Sequence, residues 1–382
     1  MSAPSLSDHP ADHVDDPYPY YQLLRESDPV HFDERRGTWL VARHEDVSRL
    51  LRDDVRLSAV QGGGPNANML GSDPPKHTRL RTLVSKAFTP RAVRQLQPRI
   101  HEIVDELLDV AAANGEVDAI ADFAYPLPIT IIGEMLGVPA AERGFFRAAS
   151  TKVALSAGYA QDPHATSRAS EGREEMVRYF EDLIRRRRAD PQDDLVTACI
   201  QAEDEGDRLT HGELMAMLLI LLIGGHETTV NLIGNGLLAL LRNPGQLELL
   251  RREPLEREAT EEMLRYDAPS QYTGRVAAQD FELHGRAIKA GQAVRMLLAS
   301  ANRDADVFTD PDGVDISRAP NPHVAFGAGI HYCLGGELAR LEGQIAISTM
   351  VRRFPNLALA ETELRWRPAP VFRGLEALPL TL

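Results

Sequence analysis

The residues best suited to chemistry lie in the run Phe326-Gly327-Ala328-Gly329-Ile330-His331-Tyr332-Cys333-Leu334-Gly335. Its glycines let the backbone turn tightly and approach a flat partner. A helical pattern follows Cys333, and a helix N-terminus aims N–H groups and positive charge at the sulfur, which favours thiolate over thiol. The alternative is a buried structural cysteine. Other motifs fail on the same residues. Gly327-x-Gly329 would need glycine at 332 to open a dinucleotide site, and that residue is Tyr332. His331-x-Cys333 has no second Cys or His pair at zinc spacing.

A second cluster, Gly224-Gly225-His226-Glu227-Thr228-Thr229, interrupts an apolar stretch. Polar and acidic groups in a buried helix are costly unless something uses them. The glycines weaken the helix by roughly 1 kcal/mol each relative to Ala and leave room for a ligand. Alternatively, Thr228 bonds back to a carbonyl one turn earlier, which is structurally harmless. A zinc-protease helix would need His at 230, where Val230 stands. Glu262 and Arg265, at i and i+3, share one helix face. Alone they read as a surface ion pair.

Mostly helical elements must position these groups. Helix is expected over Pro17–Ser27, Arg91–Ala113, Glu171–Arg188, Thr210–Asn243, Pro254–Tyr266 and Cys333–Phe354. The basic end Arg185–Arg188 suits a solvated helix C-terminus. Thr210 and Glu213 form a capping box, and Pro244 closes that helix after about 50 Å. Val30–Phe32 and Trp39–Ala42 read as a hairpin around Gly37. Short strands are expected at Phe281–Leu283, Ala287–Ile288 and Ala293–Ala299, and an irregular loop over Asn302–Pro322. No repeat or linker divides the chain, so residues 1–382 read as a single domain.

With 43% hydrophobic and 26% charged residues the chain is globular, neither fibrous nor disordered. Its net charge of −14 opposes nucleic-acid binding. Cys199 and Cys333 alone give no disulfide framework. Met1–Tyr21 lacks the basic and apolar regions of a secretory signal, and the apolar run Leu214–Ile223 is too short to span a bilayer. The expectation is a cytoplasmic protein without membrane attachment.

Together the segments resemble the cytochrome P450 family of soluble bacterial haem-thiolate monooxygenases. FGAGIHYCLG fits the family's Phe-Gly-x-Gly-x-x-x-Cys-x-Gly loop at every fixed position, and GGHETT resembles its oxygen-binding helix motif. Glu262/Arg265 resembles its Glu-x-x-Arg pair, Asp73–Arg81 its haem-propionate segment, and Asn302–Gly327 the meander before the thiolate loop. The likeness covers essentially the whole chain. It implies a mainly α P450 fold: a large helical domain with small β-sheets and a long central oxygen-binding helix across the haem.

The resemblance assigns Cys333 as the axial thiolate that binds the iron, with Phe326 shielding the sulfur. It places His77, Arg81, Arg275 and His331 on the propionates of haem b, and makes Glu262, Arg265 and Arg318 structural. Glu227 and Thr228 would manage protons for bound O2. The family often has Ala where this chain has Gly224, which leaves more room there. Gly224, Gln271, Tyr272, Thr273 and the turn Val371-Phe372, with 58–70 and 155–162, would wall the pocket, the Gln61–Gly64 run suggesting a mobile entrance.

The implied reaction inserts one oxygen atom into a bulky, hydrophobic small molecule by hydroxylation or epoxidation, tailoring a polyketide, macrolide or similar secondary metabolite. Electrons would come from NAD(P)H through a separate reductase and ferredoxin or flavodoxin, docking on Arg91, Arg94, Arg99 and Arg340 to a monomer. Alternatively those arginines are merely solvated. Two other readings are a peroxide-driven peroxygenase and a haem sensor or electron carrier. The intact Glu227-Thr228 pair speaks against both.

Overall fold

The computed structural model describes residues 4–8, 10–60, 68–154, 163–204, 209–360 and 363–382. The expected pocket segments 61–64 and 155–162 lie outside them. The first helices are α1 (Tyr18–Ser27), α2 (His44–Leu50), α3 (Lys76–Ser85) and α4 (Pro90–Asn114). Next come α5 (Pro126–Met135), α6 (Arg143–Ala154), α7 (Pro163–Ala189) and α8 (Leu195–Asp204). The long α9 (His211–Arg242) leads to α10 (Pro244–Arg252) and α11 (Glu256–Tyr266). After the single turn α12 (Leu298–Ala301), α13 (Gly336–Arg353) is the last.

Three small sheets flank the helices. β1 (Val30–Asp33), β2 (Thr38–Val41), β3 (Leu57–Ser58), β5 (Thr273–Ala277) and β8 (Ala293–Met296) make one, in the order β1-β2-β8-β5-β3. Only β2 and β8 run parallel in it, with Thr38 opposite Ala293. β4 (Glu116–Asp118), β10 (Pro379–Thr381) and β9 (Ala358–Leu359) form the second, and β6 (Phe281–Leu283) with β7 (Arg286–Ile288) the third.

The core is built around α9. Leu214, Leu218, Leu222, Leu232, Ile233, Leu237 and Leu240 are buried there with residues of α4, α5, α11 and α13. Thr210 caps it through the Glu213 amide, and Glu213 returns a bond to the Thr210 amide at 2.9 Å. The apolar stretch is longer than Leu214–Ile223, because Val230–Leu241 continues it. By length and composition α9 could cross a membrane, but 67% of its most apolar window is buried inside the protein. It is a core helix.

Three elements differ from expectation. α7 begins at Pro163, well before Glu171, and from Gly172, which lies against Lys152, it runs along α6. The strand expected over Ala293–Ala299 stops at Met296. There Leu297 enters the core and the chain coils into α12, where Ser300 donates to the Ala42 carbonyl at 2.9 Å. The helix expected from Cys333 opens at Gly336, so Cys333 lies in the loop before it.

Candidate functional site

Two glycines shape the cysteine loop. Gly327 and Gly329 both have φ +68°, a left-handed conformation that glycine adopts without penalty. A Cβ on Gly329 would also meet the Leu51 carbonyl oxygen at 2.8 Å. The Cys333 amide donates to the Phe326 carbonyl at 2.9 Å and closes the loop. The guanidinium of Arg340 lies 4.5 Å over the Phe326 ring, which stands 6.2 Å from that of Tyr332. Cys333 is a free thiol set deep in the protein with an open surface. Burial pushes it up, against the pull of the Gly335 amide, Arg81 and Arg340. The free sulfur therefore favours the thiol, contrary to the expectation from the helix end, because desolvation outweighs the amide and both arginines. A metal cation at the sulfur would replace that proton.

Basic groups gather beside this loop. His77 from α3 and His331 from the loop have ring centroids 4.3 Å apart. His77 is 3% exposed, and neither of its ring nitrogens has a partner among the described residues. Arg81, one turn along α3, donates to the Tyr332 carbonyl at 2.6 Å. Among the described residues Arg275 on β5 donates to Thr273 Oγ1 at 3.3 Å and the Gly274 carbonyl at 2.8 Å. Burial, then Arg275 and His77, push His331 down to about 3; burial and then Arg81 lower His77. The nearby carboxylate, Asp73, is bonded to Ser58 Oγ and to the Ala59 amide at 2.8 Å. A buried imidazole without a partner and two half-buried guanidinium groups beside it suit an anionic partner such as a carboxylate, which would accept from all of them.

On α9 the two central glycines face different surroundings. A Cβ on Gly225 would sit 2.8 Å from Ile132, whereas nothing lies within 4 Å of one on Gly224. Thr228 Oγ1 donates back to the Gly224 carbonyl at 3.3 Å, the local bond weighed in the sequence. Glu227 is 5% exposed and accepts from Arg367 Nη1 at 2.5 Å. His226 is buried, with Nδ1 2.8 Å from the Leu222 carbonyl oxygen. Nothing in the sequence pointed to Arg367, which lies 140 residues from Glu227 in an irregular tail.

Glu262 and Arg265 are fully buried, so the surface-pair reading does not hold. Arg265 donates twice to Glu262, at 2.7 Å each, and to the carbonyls of Asn302, Pro311 and Gly313. Arg318 reaches Glu262 at 3.1 Å and the Thr309 carbonyl at 2.7 Å. The pair thus fastens the irregular loop through its own carbonyls. Glu261, which sequence reasoning passed over, binds His323 at 2.8 Å and Arg340 at 2.6 Å, tying the loop to α13.

The family model for cytochrome P450 matches residues 161–365. Cytochrome P450 107B1 of Saccharopolyspora erythraea is 46% identical over 365 residues, 90% of this chain and 88% of that one. The chain belongs to the cytochrome P450 family. The Vitamin D(3) 25-hydroxylase of Pseudonocardia autotrophica is 43% identical over 385 residues, covering 96% of this chain and 94% of that protein. The crystal structure of PksS, the P450 of the Bacillus subtilis bacillaene polyketide synthase, superposes with a TM-score of 0.91. It is 36% identical and covers 98% of this chain and 99% of that one.

P450 enzymes are monooxygenases that use haem and O2, with electrons supplied by redox partners. The donor set here fits that group: one open sulfur on a glycine loop, and beside it a buried histidine with both ring nitrogens unpartnered among the described residues and two half-buried arginines. The other expected P450 residues divide. Gln271 donates to the Ala268 carbonyl at 2.7 Å and accepts from Tyr21 at 3.2 Å, so its amide is engaged with α1 instead of offering a pocket anchor. Tyr272 is buried with Arg295 5.0 Å over its ring, and Thr273 opens β5 opposite Met296. The 270–273 segment and the turn at Phe372 do meet, through a Ser270–Phe372 bridge and the Gln271 amide on the Val371 carbonyl at 2.9 Å. The expected basic patch is broken. Arg99 is paired with Glu102 and Glu134, Arg340 with Glu261 and Glu337, while Arg91 and Arg94 remain exposed.

Proposed function

We propose that this P450 monooxygenase adds one oxygen atom from O2 to a bulky, hydrophobic metabolite, a polyketide or a compound of similar size. The observation that carries its haem chemistry is the buried His77 beside the Cys333 loop, its ring against that of His331, with both of its ring nitrogens unpartnered among the described residues and Arg81 and Arg275 close by. The substrate class is supported by the relatives: one acts on vitamin D3, and one serves a polyketide synthase.

In this reading Cys333 binds the iron of haem b, and His77, Arg81, Arg275 and His331 hold its two carboxylates. Phe326, beneath the Arg340 guanidinium, keeps water from the sulfur. Haem, when bound, activates dioxygen and delivers the oxygen atom. Thr228 holds a proton at its hydroxyl, and Glu227 resupplies it from water. Glu262, Arg265 and Arg318 hold the loop that leads to the cysteine. NAD(P)H supplies electrons through a separate ferredoxin or flavodoxin and its reductase. The chain works as one cytoplasmic domain.

Two substitutions test this. Cys333→Ser should abolish the thiolate-type absorption of the reduced, carbon monoxide-treated protein. Thr228→Ala should keep NAD(P)H oxidation while diverting oxygen to hydrogen peroxide. Unchanged product yield in that variant would refute the proton role. A spin-state titration of the ferric protein against polyketides and sterols reads the substrate class.

A further inference from the structure

One face of α9 carries polar side chains at successive turns, Glu227, Asn231 and Asn235, all buried. Each meets the C-terminal hairpin, in which Trp366 bridges Leu375 and the Arg367 amide donates to the Gly374 carbonyl at 2.9 Å. Arg367 spans two of the three. Its Nη1 binds Glu227 at 2.5 Å and its Nη2 binds Asn231 Oδ1. Asn235 donates to the Arg373 carbonyl at 3.1 Å. The hairpin leaves room for this. A Cβ on Gly374 would fall 2.0 Å from Asn231 Oδ1 and 2.8 Å from Arg367 Nη2.

We propose that Arg367 is a positioning residue for the Glu227 carboxylate, with Asn231 as its second anchor. This rests on reading Glu227 as the acid that resupplies the Thr228 proton. A glutamate has three rotatable side-chain bonds, and a free one in mid-helix would sample several rotamers. The planar fork of an arginine fixes direction as well as charge balance. Glu227 is fixed on the side of the hairpin, and Asn231 keeps the guanidinium from swinging away. In the step it serves, the carboxyl passes one proton through water to the Thr228 oxygen, as that hydroxyl gives its own to the dioxygen substrate. Water returns a proton to the carboxylate, and no electrons are exchanged. Charge pairing alone would be served by a lysine, but a lysine offers one nitrogen on a flexible stem where Arg367 gives each side chain a separate nitrogen of a rigid plane. Nothing at the level of spacing marks this arginine. Its role appears only where the tail folds onto α9.

The test compares Arg367→Gln, Arg367→Lys, Glu227→Gln and the Arg367→Gln/Glu227→Gln double variant. Oxygen uptake is followed across pH with a plant-type ferredoxin, its reductase, NADPH and myristic acid as probe. The share of oxygen released as hydrogen peroxide is read alongside. Arg367→Gln should raise the peroxide share several-fold and shift the pH profile. Arg367→Lys should recover part of the loss, and Arg367→Gln should add nothing in the Glu227→Gln background. A second readout does not depend on turnover. The carboxylate stretching band of Glu227, identified by its loss in Glu227→Gln, should move in Arg367→Gln with and without haem. If Arg367→Gln does not fold, Asn231→Ala, which frees the second arm, should shift the band and the pH profile in the same sense. An unmoved band, or an equal effect of Arg367→Gln in both backgrounds, overturns the proposal. If Glu227→Gln itself leaves pH profile and peroxide share unchanged, the reading of Glu227 fails and takes the proposal with it. If Glu227→Gln alters them and Arg367→Gln does not, the proposal alone fails.

Discussion

Gly224 and Gly225 are neighbours in sequence with opposite constraints. Gly225 faces Ile132, and a methyl there would overlap it at 2.8 Å; Gly224 faces open space. Overpacking a tight contact costs about 1–3 kcal/mol, so Gly225→Ala should lower the denaturant midpoint of the haem-loaded protein. Gly224→Ala should raise it, since alanine is favoured over glycine inside a helix by about 1 kcal/mol. The same methyl would narrow the open side and weaken the spin-state response to bulky ligands. Equal midpoints for the two variants would show that Ile132 yields. The sequence marked both positions as a cluster, but which glycine is squeezed depends on α5, far away in the chain. Glu262 and Arg265 were legible because their spacing is local, while their burial was not, since it comes from loop carbonyls wrapped around them. Arg367 was illegible altogether, because its partners lie on another element.

At the level of elements, the end of α9 does two jobs through Glu213. The capping box was readable from Thr210 and Glu213 alone. The second job was not: Arg79 and Lys76 of α3 reach the same carboxylate at 2.7 Å and 3.3 Å. The central helix is thereby fastened to the helix that carries His77 and Arg81. Burial works to raise the Glu213 carboxyl, but Arg79, the Thr210 amide and Lys76 outweigh it and bring it down to about 2. A carboxyl depressed in the folded state stabilises it above the unfolded pKa, near 4.3, and loses that contribution as pH falls towards about 2. Gln keeps the capping-box bond to the Thr210 amide but loses both ion pairs, so Glu213→Gln should destabilise the protein by about 1 kcal/mol at neutral pH. The gap to the native protein should close as pH falls through that window. A urea midpoint series in pH checks this, and a gap that stays constant down to acid pH would mean the ion pairs contribute nothing. Long periodic helices were legible for the same reason as the cap, a pattern carried along one segment. α5 was not, because its Pro-Leu-Pro-Ile-Thr-Ile-Ile start looks unlike a helix, although prolines are tolerated in a first turn.

Over the whole molecule, the two chain ends are stitched into the middle. Leu378 and Leu382 bond back to Asp118 and Gly115 at 2.9 Å and 3.3 Å, closing the sheet of β4, β10 and β9. Arg373 makes the other seam. Its guanidinium lies 3.5 Å over Trp366, pairs with Asp267 at 2.9 Å, and donates to the carbonyls of Val14 and Asp15. Tyr18 donates to the same Asp267 oxygen at 2.7 Å. One buried arginine thus joins the N-terminal segment, the end of α11 and the hairpin that carries Arg367. Removing one partner of a buried ion pair costs about 3–5 kcal/mol, since the other charge stays behind without compensation. Arg373→Ala should lower the melting temperature by several degrees while keeping one cooperative transition, because the seam belongs to the same core and not to a separable unit. Amide exchange of residues 14–27 should accelerate together with that of 366–375. Were the N-terminal residues to keep their protection, or the transition to split in two, the ends would be independent of the core. The chain would then have to be redrawn as a separable tail on a smaller folded body.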